Sequence, residues 1–415
     1  MARSGGPRPV ARRRPSPTAG PVVGCADARD RMTAAVELPE GDADPLHPAR
    51  VAARVAGWAR GAPGGPLTLE LYPTLSCNLD CVFCDTTDRH RPPVGELSRE
   101  RLLSLVDEAA DLGVKRVFVL GGGEPLARKD AAPALLAAIK ARGMEGVLTT
   151  NGTLLGPALA EQLVHTGWDE VHFSVDAPSA ALHDHLRGRD GSFSRTVRNA
   201  CRLSVLRRRL GRVTPRIALH FVLTRLNWRE LPGMVRLAEA LGAHRVDFDA
   251  LIAYTPEQRA LALLPDERAQ VPAVAAEALA LAEAAGIATT LGHFLQPERL
   301  DRGAAPPPAP AAAAPGLGAA PCLRAWHYIV VQADGRVSPC CVLSGEGGSV
   351  ADRPLAEVWA GDAYLEQVRA GMLRGQPQPR CRECSWNILG HEALLRSRLP
   401  ADALGLPAGP HPGHA

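Results

Sequence analysis

Three cysteines, Cys77, Cys81 and Cys84, stand four and then three residues apart in the segment LSCNLDCVFCD. A structural zinc site closes with four ligands, usually as two pairs, and no fourth ligand stands near this triplet. A 4Fe–4S cluster is commonly held by thiolates, and three of them leave one iron free to bind another molecule. The spacing therefore favours an iron–sulfur cluster with one open iron over a zinc site.

A second group of four cysteines lies near the C-terminus, with 17, 40 and 2 residues between successive members: Cys322, Cys340, Cys381 and Cys384. The segment AWHYIVVQADGRVSPCC predicts a β-hairpin that turns at Asp334–Gly335, and an amphipathic helix is predicted over about 354–373. Four thiolates around a hairpin and a helix fit zinc or an iron–sulfur cluster, and taken alone the pattern favours zinc.

Strand-like and helix-like patterns alternate from about residue 65 to residue 290. Six short runs rich in β-branched residues are bounded by glycine or polar residues: LTLELYP (67–73), VKRVFVLGG (114–122), EGVLTTNG (145–152), EVHFSVDA (170–177), RIALHFVLT (216–224) and HRVDFDALI (244–252). Six β/α repeats with right-handed crossovers predict an α/β fold, a partial (β/α)6 TIM-type barrel that is open on one side, because a full barrel needs eight. The hairpin and helix beyond it predict a small C-terminal α+β domain.

Polar residues follow the predicted strands at the edge of the sheet where β/α folds place their chemistry. The segment GGGEPL lacks the third glycine of a dinucleotide-binding fingerprint. Gly122 and Gly123 would let the backbone approach a ligand, and Glu124 can accept a hydrogen bond from an ammonium group. In VHFSVDA, alternation puts Ser174 and Asp176 on the inner strand face, where buried polar groups need a ligand or water.

The cysteine triplet after the first strand of a six-fold β/α domain resembles the radical S-adenosylmethionine (SAM) superfamily over about residues 66–290. Phe83 also matches, since that family usually has an aromatic residue there, beside the adenine. The resemblance implies that the open iron is chelated by the amino and carboxylate groups of SAM. One electron then cleaves SAM to methionine and a 5′-deoxyadenosyl radical that abstracts a substrate hydrogen.

The same resemblance implies contacts to SAM. Gly122, Gly123 and Glu124 would bind its amino group, and Ser174 and Asp176 would lie near its ribose hydroxyls and methionyl group. Two further residues, Arg187 and Asn151, each have two possible roles. The guanidinium fork of Arg187 suits the methionine carboxylate, the alternative being an exposed surface arginine, and Asn151 would either line the cavity or cap a turn.

The second cysteine group, joined to this first domain, resembles the SPASM/twitch extension of radical SAM enzymes, which binds auxiliary 4Fe–4S clusters. No cysteine follows Cys384, which points to the single-cluster twitch form. Four thiolates would leave no open iron, so electron transfer is the expected role of this cluster. Cys341 would replace Cys340 as a ligand, donate a hydrogen atom to a substrate radical, or simply pack.

The leading functional prediction is a radical SAM oxidoreductase that oxidises or epimerises a sugar or aminocyclitol intermediate, with the auxiliary cluster as electron conduit. The alternatives are a maturase that modifies a ribosomally made peptide and a non-catalytic iron–sulfur or zinc scaffold. A ferredoxin or flavodoxin would donate electrons. Candidate catalytic groups are Cys341 and, on the later strands, His220, Asp247 and Asp249.

Composition limits the remaining partners and the domain layout. A net charge of +3 gives no large positive field, so nucleic acid is not expected, and the absence of an apolar run of about 18 residues predicts no membrane span. Ten cysteines with metal-type spacing fit a reducing cytoplasm.

The predicted units are a disordered Arg/Pro-rich tail (1–45), the radical SAM core (46–300), a Pro/Ala linker (301–320), the auxiliary-cluster domain (321–390) and a C-terminal tail (391–415).

Overall fold

The computed structural model describes residues 46–84, 95–253, 255–300, 316–343 and 345–399. Within these ranges the strands are β1 (Thr68–Leu71), β2 (Arg116–Val119), β3 (Glu145–Thr150), β4 (Glu170–Ser174), β5 (Arg216–Leu223), β6 (Arg245–Ala250), β7 (Ala288–Thr289), β8 (Tyr328–Val331) and β9 (Val337–Ser338). They form one nine-stranded sheet in the order β7-β6-β5-β4-β3-β2-β1-β8-β9. Neighbouring strands are parallel except β8 and β9.

The helices lie between and beyond these strands. Their bounds are α1 (Pro48–Ala59), α2 (Arg99–Asp111), α3 (Ala132–Ala141), α4 (Pro157–His165), α5 (Ala180–Arg187), α6 (Ser192–Arg209), α7 (Leu231–Leu241), α8 (Pro256–Arg259), α9 (Pro265–Ala285), α10 (Leu355–Gly361), α11 (Ala363–Leu373) and α12 (Trp386–Ser397).

Alternation along the strands separates an outer apolar face from an inner polar one. On β4, Val171 and Phe173 are fully buried under the helices, whereas His172 and Ser174 face the interior of the curved sheet and are half-buried. The outer faces and the covering helices form the main hydrophobic core. Because β7 and β9 stand at opposite edges of the sheet, the barrel is partial, and the predicted α/β fold is confirmed.

The predicted hairpin is confirmed, but it belongs to the barrel sheet. β8 and β9 pair antiparallel across the turn that contains Gly335, and β8 also pairs in parallel with β1. All four residues of β8 are buried, because an apolar strand of this kind is covered on both faces. The C-terminal part of the chain therefore continues the sheet of the first domain.

The single helix predicted over about 354–373 is wrong, because the chain forms α10 and α11 instead. Asp362 has an extended backbone, and its carboxylate accepts hydrogen bonds at 3.1 Å from the amides of Tyr364 and Leu365. An aspartate in this position caps a new helix and satisfies amides that lack an intrahelical partner.

The predicted domain boundaries also need correction near the C-terminus. α12 crosses the boundary placed at residue 391: Glu392 accepts a 2.7 Å hydrogen bond from the Leu323 amide, and Leu395 is fully buried. Leu395 belongs to a second core, in which α1, α11 and α12 pack with residues 317–343. The end of the predicted linker is therefore packed, while 1–45, 301–315 and 400–415 lie outside the described residues.

Among the described helices, none is both long enough and apolar enough to cross a membrane.

Candidate active site

The cysteine loop, residues 75–84, follows β1 and packs against the end of α5. The amide of Asp80 donates a 3.1 Å hydrogen bond to the carbonyl of Arg187. Gly188 then has a positive φ of 65°, and a Cβ there would lie 2.1 Å from the Asp80 carbonyl oxygen. Glycine is therefore required where α5 ends against the loop.

The three thiols of this loop are partly buried and interact with one another. Burial, opposed by a hydrogen bond from the Leu79 backbone and aided by the charges of Glu124, Cys81 and Cys84, raises the pKa of Cys77 to about 11. Burial also raises the pKa of Cys81, against the opposing charge of Arg187. Because each thiolate disfavours the next, three thiolates here need a bound cationic centre to stay deprotonated.

The glycine segment after β2 runs beside the start of the cysteine loop. The amide of Gly123 donates to the Thr74 carbonyl at 3.2 Å, and that of Glu124 donates to the Ser76 carbonyl at 2.8 Å. A Cβ on Gly123 would lie only 2.3 Å from the Ser76 carbonyl oxygen. The predicted close approach of this backbone is present, and its immediate neighbour is the cysteine loop.

Glu124 is buried at the end of this segment and holds the adjacent strand. Its carboxylate accepts hydrogen bonds from the Thr150 hydroxyl at 2.6 Å, the Asn151 amide at 2.7 Å and the Leu126 amide at 3.1 Å. Burial raises its pKa, and these three donors oppose that shift. A carboxylate has about four acceptor sites, so room remains for one ammonium donor, as predicted for SAM.

Asn151 connects the end of β3 to the cysteine loop. Its side-chain amide donates to Asn78 at 2.9 Å, and Asn78 in turn donates to the Thr153 hydroxyl at 2.8 Å. The side-chain oxygen Oδ1 of Asn151 also accepts a hydrogen bond from the Thr153 amide at 2.9 Å, which corresponds to the turn cap, one of the two alternatives predicted for Asn151. Asn151 therefore fixes the residue that directly follows Cys77.

Asp176 and Arg187 form a buried ion pair behind the cysteine loop, with 2.5 Å between the Arg187 Nε and an Asp176 carboxylate oxygen. Arg187 Nη1 lies 3.6 Å from the Cys81 sulfur, and the guanidinium stands 5.4 Å from the centroid of the Phe83 ring. Arg187 is only 7% exposed, so the alternative of an exposed surface arginine is wrong. Its guanidinium also has five N–H donors, and these contacts do not use them all.

Ser174 and the candidate catalytic groups face the barrel interior on neighbouring strands, where His220 pairs in register with Ser174 on one side and Asp247 on the other. His220 Nε2 lies 3.0 Å from an Asp249 carboxylate oxygen, whereas Asp247 accepts a 2.7 Å hydrogen bond from Arg245. Burial disfavours the charged imidazole, but the bond to Asp249 and the surrounding carboxylates outweigh it and raise the pKa of His220. The structure thus distinguishes His220–Asp249 as a pair.

Glu70 lies between two tyrosines on the inner side of β1 and β8. The Tyr72 hydroxyl donates to one carboxylate oxygen at 2.6 Å, and the Tyr328 hydroxyl donates to the other. The pKa of the Cys341 thiol is raised, first by burial and then by the negative charge of Glu70. Loss of the Cys341 proton is therefore disfavoured.

A cavity of about 50 Å³ has all four predicted auxiliary ligands on its wall: Cys322, Cys340, Cys381 and Cys384. The rest of the wall is mainly apolar and includes Leu343, Met372 and Ile388. Cys340 lines this cavity and Cys341 does not, which matches the predicted alternation of the two thiols. The assignment of Cys340 as the ligand remains a prediction that this geometry favours.

Both cysteine groups are compatible with iron–sulfur clusters. The donor sets are three and four thiols, with no imidazole or carboxylate required to complete them, and such sets are typical of these clusters. Within the described parts of the chain, no three His, Cys, Asp or Glu side chains converge on a position for a single metal ion.

Sequence analysis missed several residues that organise the site. Glu70 and Tyr72 alternate on the inner face of β1, and a glutamate within an otherwise apolar strand was the available signal. Asn78 lies inside the cysteine motif, but its partners Asn151 and Thr153 stand more than seventy residues away. No local pattern indicates such a contact.

Two family models match the chain. The radical SAM superfamily model covers residues 71–238, and the model of the SPASM iron–sulfur cluster-binding domain covers residues 322–385.

Two curated relatives illustrate what the chain is similar to. An AdoMet-dependent heme synthase from Methanosarcina barkeri is 35% identical over 41% of this chain and 46% of the relative, so the match spans less than half of that protein. A PqqA peptide cyclase from Granulibacter bethesdensis is 28% identical over 77% of this chain and 79% of the relative.

Solved structures of Streptococcus suis SuiB share the fold. The structure bound to S-adenosylmethionine gives a TM-score of 0.58 at 17% identity and covers 77% of this chain and 71% of SuiB. The structure bound to the precursor peptide SuiA gives a TM-score of 0.56 at 18% identity, covering 74% and 67%.

Proposed function

Because the chain belongs to the radical SAM superfamily and carries a C-terminal SPASM iron–sulfur domain, we propose that it is an enzyme that oxidises a peptide. These domains imply SAM, a SAM-binding 4Fe–4S cluster and an auxiliary iron–sulfur cluster. When bound, the cofactors supply a hydrogen-abstracting radical and an electron acceptor. The protein supplies binding, orientation and proton transfer.

The cysteine loop performs the binding. Cys77, Cys81 and Cys84 hold the first cluster, and the contacts of Asn78 and Asp80 to neighbouring elements fix the loop in position. Arg187 orients the carboxylate of SAM with those N–H groups that Asp176 does not use. Five further residues complete the proposed SAM contacts: Phe83, Gly122, Gly123, Glu124 and Ser174. Asn151 instead holds Asn78 in the cysteine loop.

The His220–Asp249 pair accepts the proton that leaves the substrate during oxidation. Asp249 orients the imidazole through the 3.0 Å contact to Nε2 and stabilises its charged form. Because Asp249 favours the protonated imidazole, His220 accepts a proton more readily than it would without this partner.

The observation that carries the peptide assignment is the 28% identity with a PqqA peptide cyclase over 77% of this chain. The expectation of a sugar or aminocyclitol substrate has no such support, since the names of the relatives reported above refer to peptide cyclisation and haem synthesis. SuiB, which shares the fold, has been solved with a precursor peptide.

Haem synthesis is the second candidate. It is favoured by the 35% identity to the Methanosarcina barkeri relative, which is higher but covers only 41% of this chain. The two candidates differ in product, because a peptide cross-link or oxidation removes two hydrogen atoms from a peptide. Haem synthesis consumes a porphyrin precursor.

The test is turnover by anaerobically reconstituted protein with SAM, dithionite and either the short peptides encoded beside the gene or an iron coproporphyrin. We expect a peptide product that has lost two hydrogen atoms, together with 5′-deoxyadenosine. Consumption of the porphyrin with unchanged peptide would establish the second candidate instead. If only substrate-independent SAM cleavage occurs with both, neither assignment stands.

The His220→Gln variant tests the proposed base. We expect peptide oxidation to fall by about 100-fold, the usual contribution of a general base, while SAM cleavage without peptide persists. His172→Gln is the control, because His172 also faces the barrel interior but pairs with Glu170 on its own strand. Equal losses in the two variants would argue against a specific role for His220.

A further inference from the structure

A basic groove opens on the outer surface beside the cysteine loop. It has a volume of about 730 Å³, and its walls come from the loop after β3, the start of α4 and one side of α6. Its cations are Lys129, Arg195, Arg198 and Arg202. No aspartate or glutamate lines it, and the rest of the wall is largely apolar.

The charge of this groove is not neutralised by the protein. None of its four cations forms an ion pair with any residue that the structure describes. Among the described residues, Arg195 bonds only to the backbone carbonyls of Gly191 and Asp190, both at 3.2 Å. Arg202 donates to the Asn199 side chain at 2.8 Å. Concave surfaces lined by one sign of charge attract oppositely charged partners and raise association rates.

Some exposed arginines of this chain are paired with carboxylates. Arg142 contacts both Asp107 and Asp111, and Asp130, the acidic neighbour of Lys129, is bound by Arg128. In the groove, by contrast, four cations lie together on walls that include no carboxylate. A partner rich in carboxylates would complement them.

The groove is directly connected to the cysteine loop. Thr153 lines it, and the Thr153 hydroxyl accepts the 2.8 Å hydrogen bond from Asn78, the residue after Cys77. Leu126 also lines it, and its amide donates to Glu124 at 3.1 Å. The groove thus lies on the outer side of the segments that hold the first cluster, whereas Ser174 and His220 face the barrel interior.

We propose that the basic groove is the docking surface for an acidic electron-carrier protein that reduces the SAM-binding cluster. The carrier loses one electron, the cluster gains it, and no proton moves at the groove. Apolar residues such as Leu154 and Leu159 provide contact area, while the cations orient the carrier. The inference rests on the redox chemistry proposed above. Electrons enter from the outer face of the barrel, whereas the substrate binds in its interior.

The Arg195→Glu/Arg198→Glu double variant tests this assignment. SAM cleavage is measured with two reductants, an acidic flavodoxin or ferredoxin kept reduced by its reductase, and dithionite. We expect kcat/KM for the protein carrier to fall by about tenfold or more, within the usual range of electrostatic steering, and the dithionite rate to stay unchanged. Raising the ionic strength from roughly 50 to 200 mM should slow the reaction of the wild-type protein with the carrier. It should also reduce the difference in rate between the wild-type protein and the double variant.

Arg208→Glu/Arg209→Glu is the matched control, because it makes the same charge change on α6 outside the groove. It should leave the carrier reaction near the wild-type rate. Three results would overturn the proposal: an unchanged carrier rate in the groove variant, an equal loss with both reductants, or an equal loss in the control variant. Loss of precursor-peptide binding with an unchanged carrier rate would assign the groove to the peptide instead.

This test does not depend on the identity of the substrate. SAM cleavage in the absence of peptide reports the electron transfer alone, so the docking result stands or fails even if peptide oxidation is not observed.

Discussion

Buried polar residues position the cysteine loop together with its buried apolar residue, Leu79. Arg187 joins Asp176 to the loop, and Asp176 is itself held by the Val222 amide at 2.9 Å and by His183. Each group is buried and its charge is compensated by a neighbour, which is the condition for keeping charged groups away from water. The loop is therefore sensitive to changes in residues that do not touch a cofactor.

The buried side chain of His183 should make the protein less stable in mild acid. The side chain is 1% exposed, its Nδ1 accepts the Asp176 amide hydrogen at 3.3 Å, and burial together with the charge of Arg187 lowers its pKa to about 4. Between pH 6.5 and about 4 the unfolded chain binds a proton at this position that the folded chain does not. The free energy of unfolding should therefore fall as pH falls through this window, by about 3 kcal/mol in total.

Denaturant unfolding at a series of pH values measures this effect. His183→Gln should remove most of the dependence between pH 6.5 and 4, while His165→Gln, at the exposed end of α4, should leave it intact. A His183→Gln protein with the wild-type pH dependence would contradict the prediction.

Substitution of Cys340 and substitution of Cys341 should have different effects on the iron content of the protein. Cys340 lies on the cavity wall with the other three thiols, whereas Cys341 does not line this cavity. Cys340→Ser should lower bound iron from about eight to about four per chain, and Cys341→Ser should retain about eight, since each 4Fe–4S cluster holds four. Iron analysis and absorption spectra of anaerobically prepared protein measure this, and the opposite pattern would make Cys341 the ligand.

At the scale of elements, a buried arginine joins α1 to the C-terminal helices. The Arg369 guanidinium lies 4.6 Å from the ring centroid of Trp58 and 4.5 Å from that of Trp359. It also donates to the Ala325 carbonyl at 3.0 Å and to the Trp359 carbonyl at 3.1 Å. Burial lowers its pKa to about 10, so it remains charged at neutral pH and attracts both rings.

Replacing this arginine should loosen α1. Arg369→Leu removes the cation from between the two rings and leaves two buried carbonyls without their donor, so the free energy of unfolding should drop by about 3 kcal/mol. Arg374→Leu, at the exposed end of α11, is the control and should cost less than about 0.5 kcal/mol. Hydrogen exchange within 48–59 should accelerate only in the first variant; equal exchange in both would exclude this role.

At the scale of the whole molecule, the auxiliary cavity lies at the junction of several parts of the chain. Cys322, Cys340 and Cys381 pack against the second core, which also contains residues of α1 and α12. These three thiols come from positions that are far apart in the chain. A bound cluster therefore links segments that are otherwise held together by packing alone. The cluster therefore stabilises both α1 and α12.

Removal of iron should therefore destabilise this region selectively. Chelation under reducing conditions is expected to accelerate hydrogen exchange in α1, α11 and α12 more than in β3 to β5, whose residues belong to the main core. Mass-spectrometric exchange on holo and iron-free protein measures the difference. Uniform acceleration along the chain would show that the cluster stabilises the whole fold equally.

Sequence patterns predicted the six strands of the barrel, because strand alternation depends on residues close together in the chain. Alternation on β4 was sufficient to place Ser174 on the inner face. The break at Asp362 and the course of α12 were missed, since capping competes locally with helical periodicity and an amphipathic end needs a partner to pack against.

The sequence by itself determined which residues are available for cofactor binding, since ligand spacing and strand alternation follow from covalent geometry. The tertiary structure alone decided which distant groups meet: Arg187 reaches Cys81 across 106 residues, and Tyr328 reaches Glu70 across 258. It also decided that His220 pairs with Asp249 while Asp247 pairs with Arg245. Such contacts depend on strand register and on the packing of loops against helices, and these are fixed only when the whole sheet has formed.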